Sequence, residues 1–161
     1  MRDIYLAGGC FWGMQGYFDG IEGILETHVG YANGNTIDVT YKTIKETGHA
    51  ECIHIIYDEN IISLRNILKH YFRIIDPTIL NRQGNDIGRQ YRTGIYYTRA
   101  EDEDIALDMI ELEQSKYDKP IVVEVCELVT FTLAEEYHQD YLKKNPNGYC
   151  HIDISLKNKP L

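Results

Sequence analysis

Apolar runs and two-residue alternation mark the strands that the sequence predicts. Residues 4–7, Ile-Tyr-Leu-Ala, form a short apolar run typical of a buried strand. From residue 50 to residue 57 the side chains alternate, which places Ile53, Ile55 and Tyr57 on one face of a strand. Glu51 falls on that same apolar face. Further strands are predicted over residues 24–31, 93–97 and 121–129.

A helical period is clearest in the middle of the chain. Five apolar residues there follow the i, i+3, i+4, i+7, i+8 spacing of an amphipathic helix. These are Leu64, Ile67, Leu68, Tyr71 and Phe72. A shorter helix is predicted over residues 11–18, where the glycines at positions 20 and 23 end it.

Two residue pairs have the spacing of a capping box, in which a Thr and a Glu three residues later satisfy free N–H groups at a helix start. Thr98 with Glu101 predicts a helix to about residue 117, and Thr132 with Glu135 predicts one to about residue 144. A Gly-rich polar loop is expected over residues 76–92, and an irregular tail is expected after Pro146.

The predicted elements follow the order β-α-β-β-α-β, and an α-β-α segment comes after them. The first six match the split βαβ pattern of ferredoxin-like folds, in which helices cover one face of a mixed sheet. We therefore expect an α+β, two-layer sandwich with C-terminal additions. No repeat or linker divides the sequence, so residues 1–161 are expected to form one domain.

Charge and hydrophobicity narrow the possible partners. The 161 residues include 16 Lys and Arg against 25 Asp and Glu, a net charge of -9, which argues against nucleic acid or an anionic membrane surface as a partner. No apolar stretch approaches the roughly 20 residues that span a bilayer. No apolar signal segment precedes residue 10 either, so we expect a cytoplasmic protein.

The four cysteines, at positions 10, 52, 126 and 150, form no C-x-x-C pair. Neither a zinc site nor a thioredoxin-type dithiol is therefore indicated, and we expect no bound metal. Cys52 and Cys126 fall within predicted strands, where burial in the structure is the simpler role.

Cys10 has the setting that a reactive thiol needs. It follows the first predicted strand and the pair Gly8-Gly9, and it precedes a predicted helix. A sulfur at a helix N-terminus meets unpaired N–H groups and the positive end of the dipole, which favour the thiolate. Phe11 and Trp12 supply an apolar wall, and the glycines would let a substrate approach the backbone closely. The alternative is an ordinary buried cysteine at a strand end.

Several local motifs occur together in one order. They are Gly9-Cys10-Phe11-Trp12-Gly13, Gly48-His49-Ala50-Glu51, Gln83-Gly84-Asn85-Asp86 with Gln90-Tyr91-Arg92, and Asn145-Pro146-Asn147-Gly148-Tyr149-Cys150. Together they resemble the A-type peptide-methionine sulfoxide reductases over essentially the whole chain. Members of this family repair methionine sulfoxide, and A-type enzymes act on its S epimer.

The resemblance implies a role for each matched residue. Cys10 would be the nucleophile and Glu51 the proton donor, since burial raises the pKa of a carboxyl group. Tyr41 and Tyr91 would bind the sulfoxide oxygen, and Asp86 would support that pocket. Phe11 and Trp12 would hold the S-methyl group. The matched His49 and His138 are given at most supporting roles, in orienting the pocket and in helix packing.

The resemblance also implies how the enzyme is recycled. Attack by Cys10 leaves a sulfenic acid, and Cys150, in a mobile tail, would form a disulfide with it. No cysteine follows Cys150, so thioredoxin, or dithiothreitol in vitro, would reduce that disulfide directly. The resemblance implies no bound cofactor, and we expect a monomer.

Simpler roles remain open for most of these residues. Glu51 could be a surface or ion-paired carboxylate, Asp86 a turn residue, Phe11 a core residue and Cys150 a spare thiol. Two other functions also remain open. A thiol peroxidase would favour a charged activating group beside Cys10, and a non-catalytic binder of oxidised methionine would not need Cys150.

Overall fold

Six strands form one mixed sheet in a computed structural model that describes residues 1–161. The strands of this sheet are β1 (Arg2–Gly8), β2 (Ile24–Ala32), β3 (Ala50–Tyr57), β6 (Thr93–Tyr97), β7 (Glu124–Glu127) and β8 (Phe131–Leu133). A separate two-stranded hairpin consists of β4 (Arg82–Gln83) and β5 (Asp86–Ile87). The helices are α1 (Phe11–Phe18), α2 (Ile44–Thr47), α3 (Leu64–Ile74), α4 (Ala100–Gln114) and α5 (Tyr141–Lys144).

The strand order, β7-β6-β1-β3-β2-β8, contains the predicted split βαβ unit. Strand β3 lies between β1 and β2 and is antiparallel to both. Strand β6 pairs antiparallel with the other side of β1, and β7 adds the one parallel pairing. The α+β fold class with a ferredoxin-like core is therefore confirmed.

The main core lies where the apolar faces of β1 and β3 meet α1 and α3. Ile4, Leu6, Ile53 and Ile55 are fully buried there. Alternation along β3 places Glu51 on the same face as Ile53 and Ile55, so the sheet carries a carboxyl group into its apolar side.

Both predicted capping boxes are wrong. Helix α4 begins after Arg99, and the Thr98 hydroxyl donates a hydrogen bond to Asp3 Oδ1 (3.1 Å) instead of capping it. Thr132 lies in β8, and its hydroxyl donates to the Ile37 carbonyl (3.0 Å). In both cases a tertiary partner satisfies the threonine better than the local backbone does.

Several predicted boundaries also need correction. The helix predicted to reach residue 144 is replaced by β8, a 3₁₀ turn over Glu136–His138 and the single turn α5. The strand predicted over residues 121–129 is limited to β7, and the polar loop contains the β4–β5 hairpin and a 3₁₀ turn over Arg89–Tyr91. None of the helices has the length and apolar character that a bilayer crossing requires.

The tail after residue 146 has no strand or α-helix, but it contains a 3₁₀ helix over Ile154–Asn158, which the prediction of an irregular tail misses, and it is packed against the fold. Lys157 Nζ donates hydrogen bonds to the carbonyls of Gly16 (3.1 Å) and Asp19 (2.7 Å). The Arg73 guanidinium donates to the carbonyls of Leu156 (2.5 Å) and Pro160 (2.5 Å). The tail is thereby fixed to α1 and to the end of α3.

Replacing Tyr71 with Phe tests the contact that holds α3 against the first strand. The buried Tyr71 hydroxyl donates to the Ala7 carbonyl (2.6 Å) and accepts from the Gly94 N–H (3.1 Å). The variant leaves the buried Ala7 carbonyl and Gly94 N–H without this hydrogen-bond partner. We therefore expect chemical denaturation to show a loss of about 1–3 kcal/mol in unfolding free energy. The matched control is Tyr97→Phe, which removes a hydroxyl group that donates to the half-exposed Glu103. This variant should lower the unfolding free energy much less, and equal losses in the two variants would contradict this account.

Candidate active site

Cys10 lies where the chain turns from β1 into α1. It is the N-cap residue of the helix, with extended φ and ψ of -62° and 124°, and only 6% of it is exposed. The turn requires Gly9, whose φ of +83° is strained for any residue with a Cβ. The sequence therefore predicts the position of this thiol correctly.

The space beside the two glycines is filled by protein side chains. A Cβ added at Gly9 would lie 2.7 Å from the Gln83 Cβ and 3.0 Å from the His151 ring, and one at Gly8 would lie 2.8 Å from Ile75 Cγ2. The expectation that these glycines admit a substrate to the backbone is wrong. They allow the β4–β5 hairpin and the tail to close over the turn.

The Glu51 carboxyl group is buried next to the start of α1, and only 1% of the residue is exposed. Its Oε1 accepts a hydrogen bond from the Phe11 N–H (3.2 Å), whereas Oε2 has no hydrogen-bond partner within the protein. Burial raises its pKa to about 8; the Phe11 N–H opposes this and the Asp86 carboxylate adds to it. Glu51 is therefore mostly protonated at neutral pH, which excludes the surface and ion-paired alternatives.

The expectation that Cys10 is a thiolate in the resting protein needs correction. The N–H groups of Trp12 and Gly13 do lower the pKa of Cys10, as a helix N-terminus should. Burial acts in the opposite direction and is stronger, and Glu51 adds to it once it is ionised, so the pKa of the thiol is raised. The sequence predicts the helix terminus and a buried Glu51, but not that this carboxyl group accepts the Phe11 N–H at the same terminus.

Tyr41 and Tyr91 face the same site from two different segments. Burial is the main factor that raises the pKa of both phenols, and Glu51 is the next. The two hydroxyl groups are also close to each other, which partly offsets the increase for Tyr41. Two protonated phenols and one protonated carboxyl group thus lie around the Cys10 sulfur, a donor-rich setting suited to an oxygen acceptor.

Asp86 enters the site from the start of β5. Burial and the nearby Asp86 carboxylate raise the pKa of Tyr149, and Asp86 Oδ2 lies 3.9 Å from His151 Nδ1. The contacts with Tyr149 and His151 place it beside the segment that carries Cys150. Asp86 is therefore more than a turn residue, since it links the hairpin to the tail.

Phe11 and Trp12 differ in how much of each ring remains available. Phe11 is fully buried and packs against Tyr31, with ring centroids 5.7 Å apart. Trp12 is half-buried, and one face of its indole is stacked on Tyr141 at 3.7 Å. Core packing is therefore the main role of Phe11, whereas Trp12 still has a second face.

Cys150 packs against the backbone of α1. A Cβ added at Gly13 would lie 3.0 Å from its sulfur, and its thiol donates a hydrogen bond to the Ile152 carbonyl (3.1 Å). Gly13 follows Cys10 by three residues, a spacing that puts two positions on one side of a helix about 5–6 Å apart. Both cysteines are free thiols at the same end of α1.

Other cysteines and histidines fall outside this cluster. Cys52 is fully buried in β3, and Cys126 is half-buried in β7. His49 hydrogen-bonds the Thr47 hydroxyl (2.8 Å) and packs on Gly34, so it supports a turn. The structure contains no group of three or more His, Cys, Asp or Glu residues arranged to hold a metal ion.

Two residues that contribute to the site are not predicted from the sequence. His151, whose side chain is 8% exposed, packs on Gly9. Its position directly after Cys150 is the one sequence feature that could have indicated this contact. Glu135, assigned above to a cap, accepts hydrogen bonds from the Tyr31 hydroxyl (2.7 Å) and the Tyr41 N–H (3.2 Å). It thereby fixes the backbone that carries Tyr41.

Comparisons with known proteins agree with this geometry. The sequence model described as peptide methionine sulfoxide reductase matches residues 2–161. The crystal structure of Mxr1 from Saccharomyces cerevisiae in reduced form is similar with a TM-score of 0.88 and 38% identity, over 92% of this chain and 89% of that chain.

Two further solved structures extend the comparison. Methionine sulfoxide reductase A of Corynebacterium diphtheriae gives a TM-score of 0.86 and 33% identity, over 92% of this chain and 77% of that chain. Mxr1 in complex with Trx2 gives 0.63 and 26%, over 87% and 85%. With a family match over nearly its whole length and two solved structures above 30% identity, this chain belongs to the peptide methionine sulfoxide reductase family.

Proposed function

We propose that this enzyme reduces the S epimer of methionine sulfoxide, free or within proteins, with Cys10 as nucleophile and Glu51 as proton donor. Methionine sulfoxide reduction is the activity of its family. The observation that carries the assignment of roles is the buried, protonated Glu51 carboxyl group beside Cys10 at the start of α1.

The first step transfers oxygen from one sulfur to another. The Cys10 sulfur attacks the sulfoxide sulfur while Glu51 gives its proton to the sulfoxide oxygen, and the thiol proton of Cys10 replaces the one that Glu51 gave. The attack forms a bond between the two sulfurs, and the protonated oxygen, now a hydroxyl group, then moves from the substrate sulfur to the Cys10 sulfur. The sulfur–sulfur bond breaks as this happens, so the sulfide leaves with its electron pair and Cys10 becomes a sulfenic acid. Tyr41 and Tyr91 donate hydrogen bonds to the oxygen as its negative charge grows.

The substrate's methyl group requires an apolar contact. The exposed face of Trp12 supplies it, and sulfur–aromatic attraction adds to the contact. Phe11 acts from behind, since its ring is part of the core beneath the site. Asp86 supports the oxygen-binding side, because its carboxylate lies near both phenols and adds to the rise that burial causes in the pKa of Tyr41 and Tyr91.

The second step forms a disulfide. The Cys150 sulfur attacks the sulfenic sulfur of Cys10, and the hydroxyl group takes up the thiol proton of Cys150 and leaves as water. The packing of Cys150 on Gly13 supports this role, because the two thiols already lie at one end of α1. We propose that thioredoxin then reduces the disulfide, as the complex of the yeast relative with the thioredoxin Trx2 suggests, while dithiothreitol replaces it in vitro.

A thiol peroxidase is less consistent with the site. Such an enzyme needs a thiolate at rest, commonly next to a cationic group. Burial raises the pKa of Cys10, and the two ionisable side chains that add to this, Glu51 and Asp86, are both acidic. Because a sulfoxide accepts protons, it gains more from this environment than a peroxide would.

A thioredoxin-coupled assay with separated sulfoxide epimers tests the proposed function. We expect turnover with the S epimer and none above background with the R epimer. Cys10→Ser should abolish turnover completely, and activity that survives in this variant would disprove the mechanism. A protein that binds the sulfoxide without turning it over would be the non-catalytic alternative.

Replacing Glu51 with Gln tests the proton donor. The single-turnover rate of the wild type should fall as pH rises past about 8, because Glu51 then ionises, loses its proton and repels a developing thiolate. The variant should be slower by about 10²-fold or more at pH 7, and its rate should not show this decrease above about pH 8. Glu113→Gln, a buried glutamate of α4, is the control, and an unchanged pH profile in Glu51→Gln would exclude the role.

Replacing Gly13 with Ala tests the position of Cys150. The added Cβ would crowd the Cys150 sulfur, so formation of the disulfide should slow about tenfold while the first step changes much less. Rapid quench and mass analysis would follow both steps. Cys150→Ser should form no disulfide, Cys126→Ser should form it normally, and disulfide formation at the wild-type rate in Gly13→Ala would argue against this packing.

A further inference from the structure

A histidine that the reaction scheme does not use lies beside Trp12, the residue that we propose as the methyl-binding wall. His138 ends the 3₁₀ turn after β8, and only 1% of it is exposed. Four aromatic rings surround it, at centroid distances of 4.1 Å (Tyr137), 4.6 Å (Tyr41), 5.2 Å (Phe11) and 5.7 Å (Trp12). It therefore lies between the methyl-binding and oxygen-binding sides of the site.

One hydrogen bond joins His138 to Trp12. The indole N–H of Trp12 donates to His138 Nδ1 at 3.0 Å. An indole nitrogen can only donate, so Nδ1 must carry no proton, and the ring must be neutral with its proton on Nε2. An imidazolium ion could not accept this bond.

The two contacts of Trp12 have different effects. Stacking on Tyr141, at 3.7 Å with the rings 9° from parallel, covers one face but allows the indole to slide and turn in its plane. The hydrogen bond to His138 is directional, and it fixes the edge of the ring. The direction of the remaining indole face is therefore set by His138.

We propose that His138 is a positioning residue that orients Trp12 for the substrate methyl group, and that it does so only as the neutral imidazole. This inference rests on the proposed function, because it takes Trp12 as the methyl-binding wall. His138 itself touches neither Cys10 nor the reacting oxygen in this scheme.

The surroundings of His138 favour the neutral form. Burial lowers its pKa, and the nearby Glu135 carboxylate partly opposes this. Tyr41 and Tyr137 also face the ring, with raised pKa values that keep both phenols neutral. From α1 it meets only Phe11 and Trp12, which do not ionise. Protonation is therefore expected below the usual pH range for histidine.

The sole tryptophan of the chain is Trp12, so its fluorescence reports on this contact without interference. We expect the wild-type emission to change in one transition below pH 6.5, as His138 takes up a proton and the hydrogen bond is lost. His138→Asn, which keeps an acceptor near the Nδ1 position, should lack the transition. The matched control is His70→Asn, a buried histidine whose Nδ1 contacts Tyr17, and it should retain the transition.

Steady-state kinetics give the second measurement. In His138→Phe, which fills the space without an acceptor, the KM for free methionine sulfoxide should rise about fivefold while kcat changes less than twofold. His138→Asn should restore KM to within twofold of the wild type. Circular dichroism would verify that each variant is folded. If His138→Phe is not folded, the fluorescence comparison still tests the proposal.

Three results would overturn the proposal. They are a fluorescence transition that persists in His138→Asn, a wild-type profile that stays flat until acid unfolding, and an unchanged KM in a folded His138→Phe. The fluorescence results do not depend on turnover. Failure of the proposed function, seen as loss of sulfoxide reduction by the wild type, is therefore distinguishable from failure of this inference.

Discussion

The site depends on competition for the N–H groups at the start of one short helix. Cys10 and Glu51 both approach that end of α1, where the Phe11 N–H bonds the carboxyl group and the next two N–H groups favour the thiolate. The helix cannot stabilise two negative charges in a space that excludes water. Both groups therefore keep their protons at neutral pH, Glu51 as a neutral carboxyl group and Cys10 as a thiol.

This arrangement links the sheet to the chemistry. Glu51 pairs with Tyr31 across β2 and β3, and Tyr31 in turn donates to Glu135, which holds the Tyr41 backbone. Strand β3 thus positions the carboxyl group, and the turn that carries Tyr41 is held to β2 through Glu135. A site of fixed donors reorganises little when charge develops on the substrate oxygen.

Local patterns predict the central sheet well because each strand is short, apolar and bounded by glycine or polar residues. Alternation in β3 correctly places Glu51 on the buried face, and the helical period correctly gives α3. The C-terminal third is harder to predict. Thr132 and Glu135 have the spacing of a cap, yet their partners, Ile37 and Tyr31, lie about 100 residues earlier and leave no trace in local spacing.

The tail is fixed by backbone hydrogen bonds and by apolar side chains. Arg73 bonds tail carbonyls, Lys157 bonds the carbonyls of Gly16 and Asp19, and Ile152 is buried in the main core against Gly13. The length of chain between these anchors therefore sets where the Cys150 sulfur lies on α1. Substitutions at Ser155 or Asn158 would leave it intact, whereas losing one residue between Cys150 and Lys157 would pull the sulfur about 3.5 Å along the helix and out of its place on Gly13.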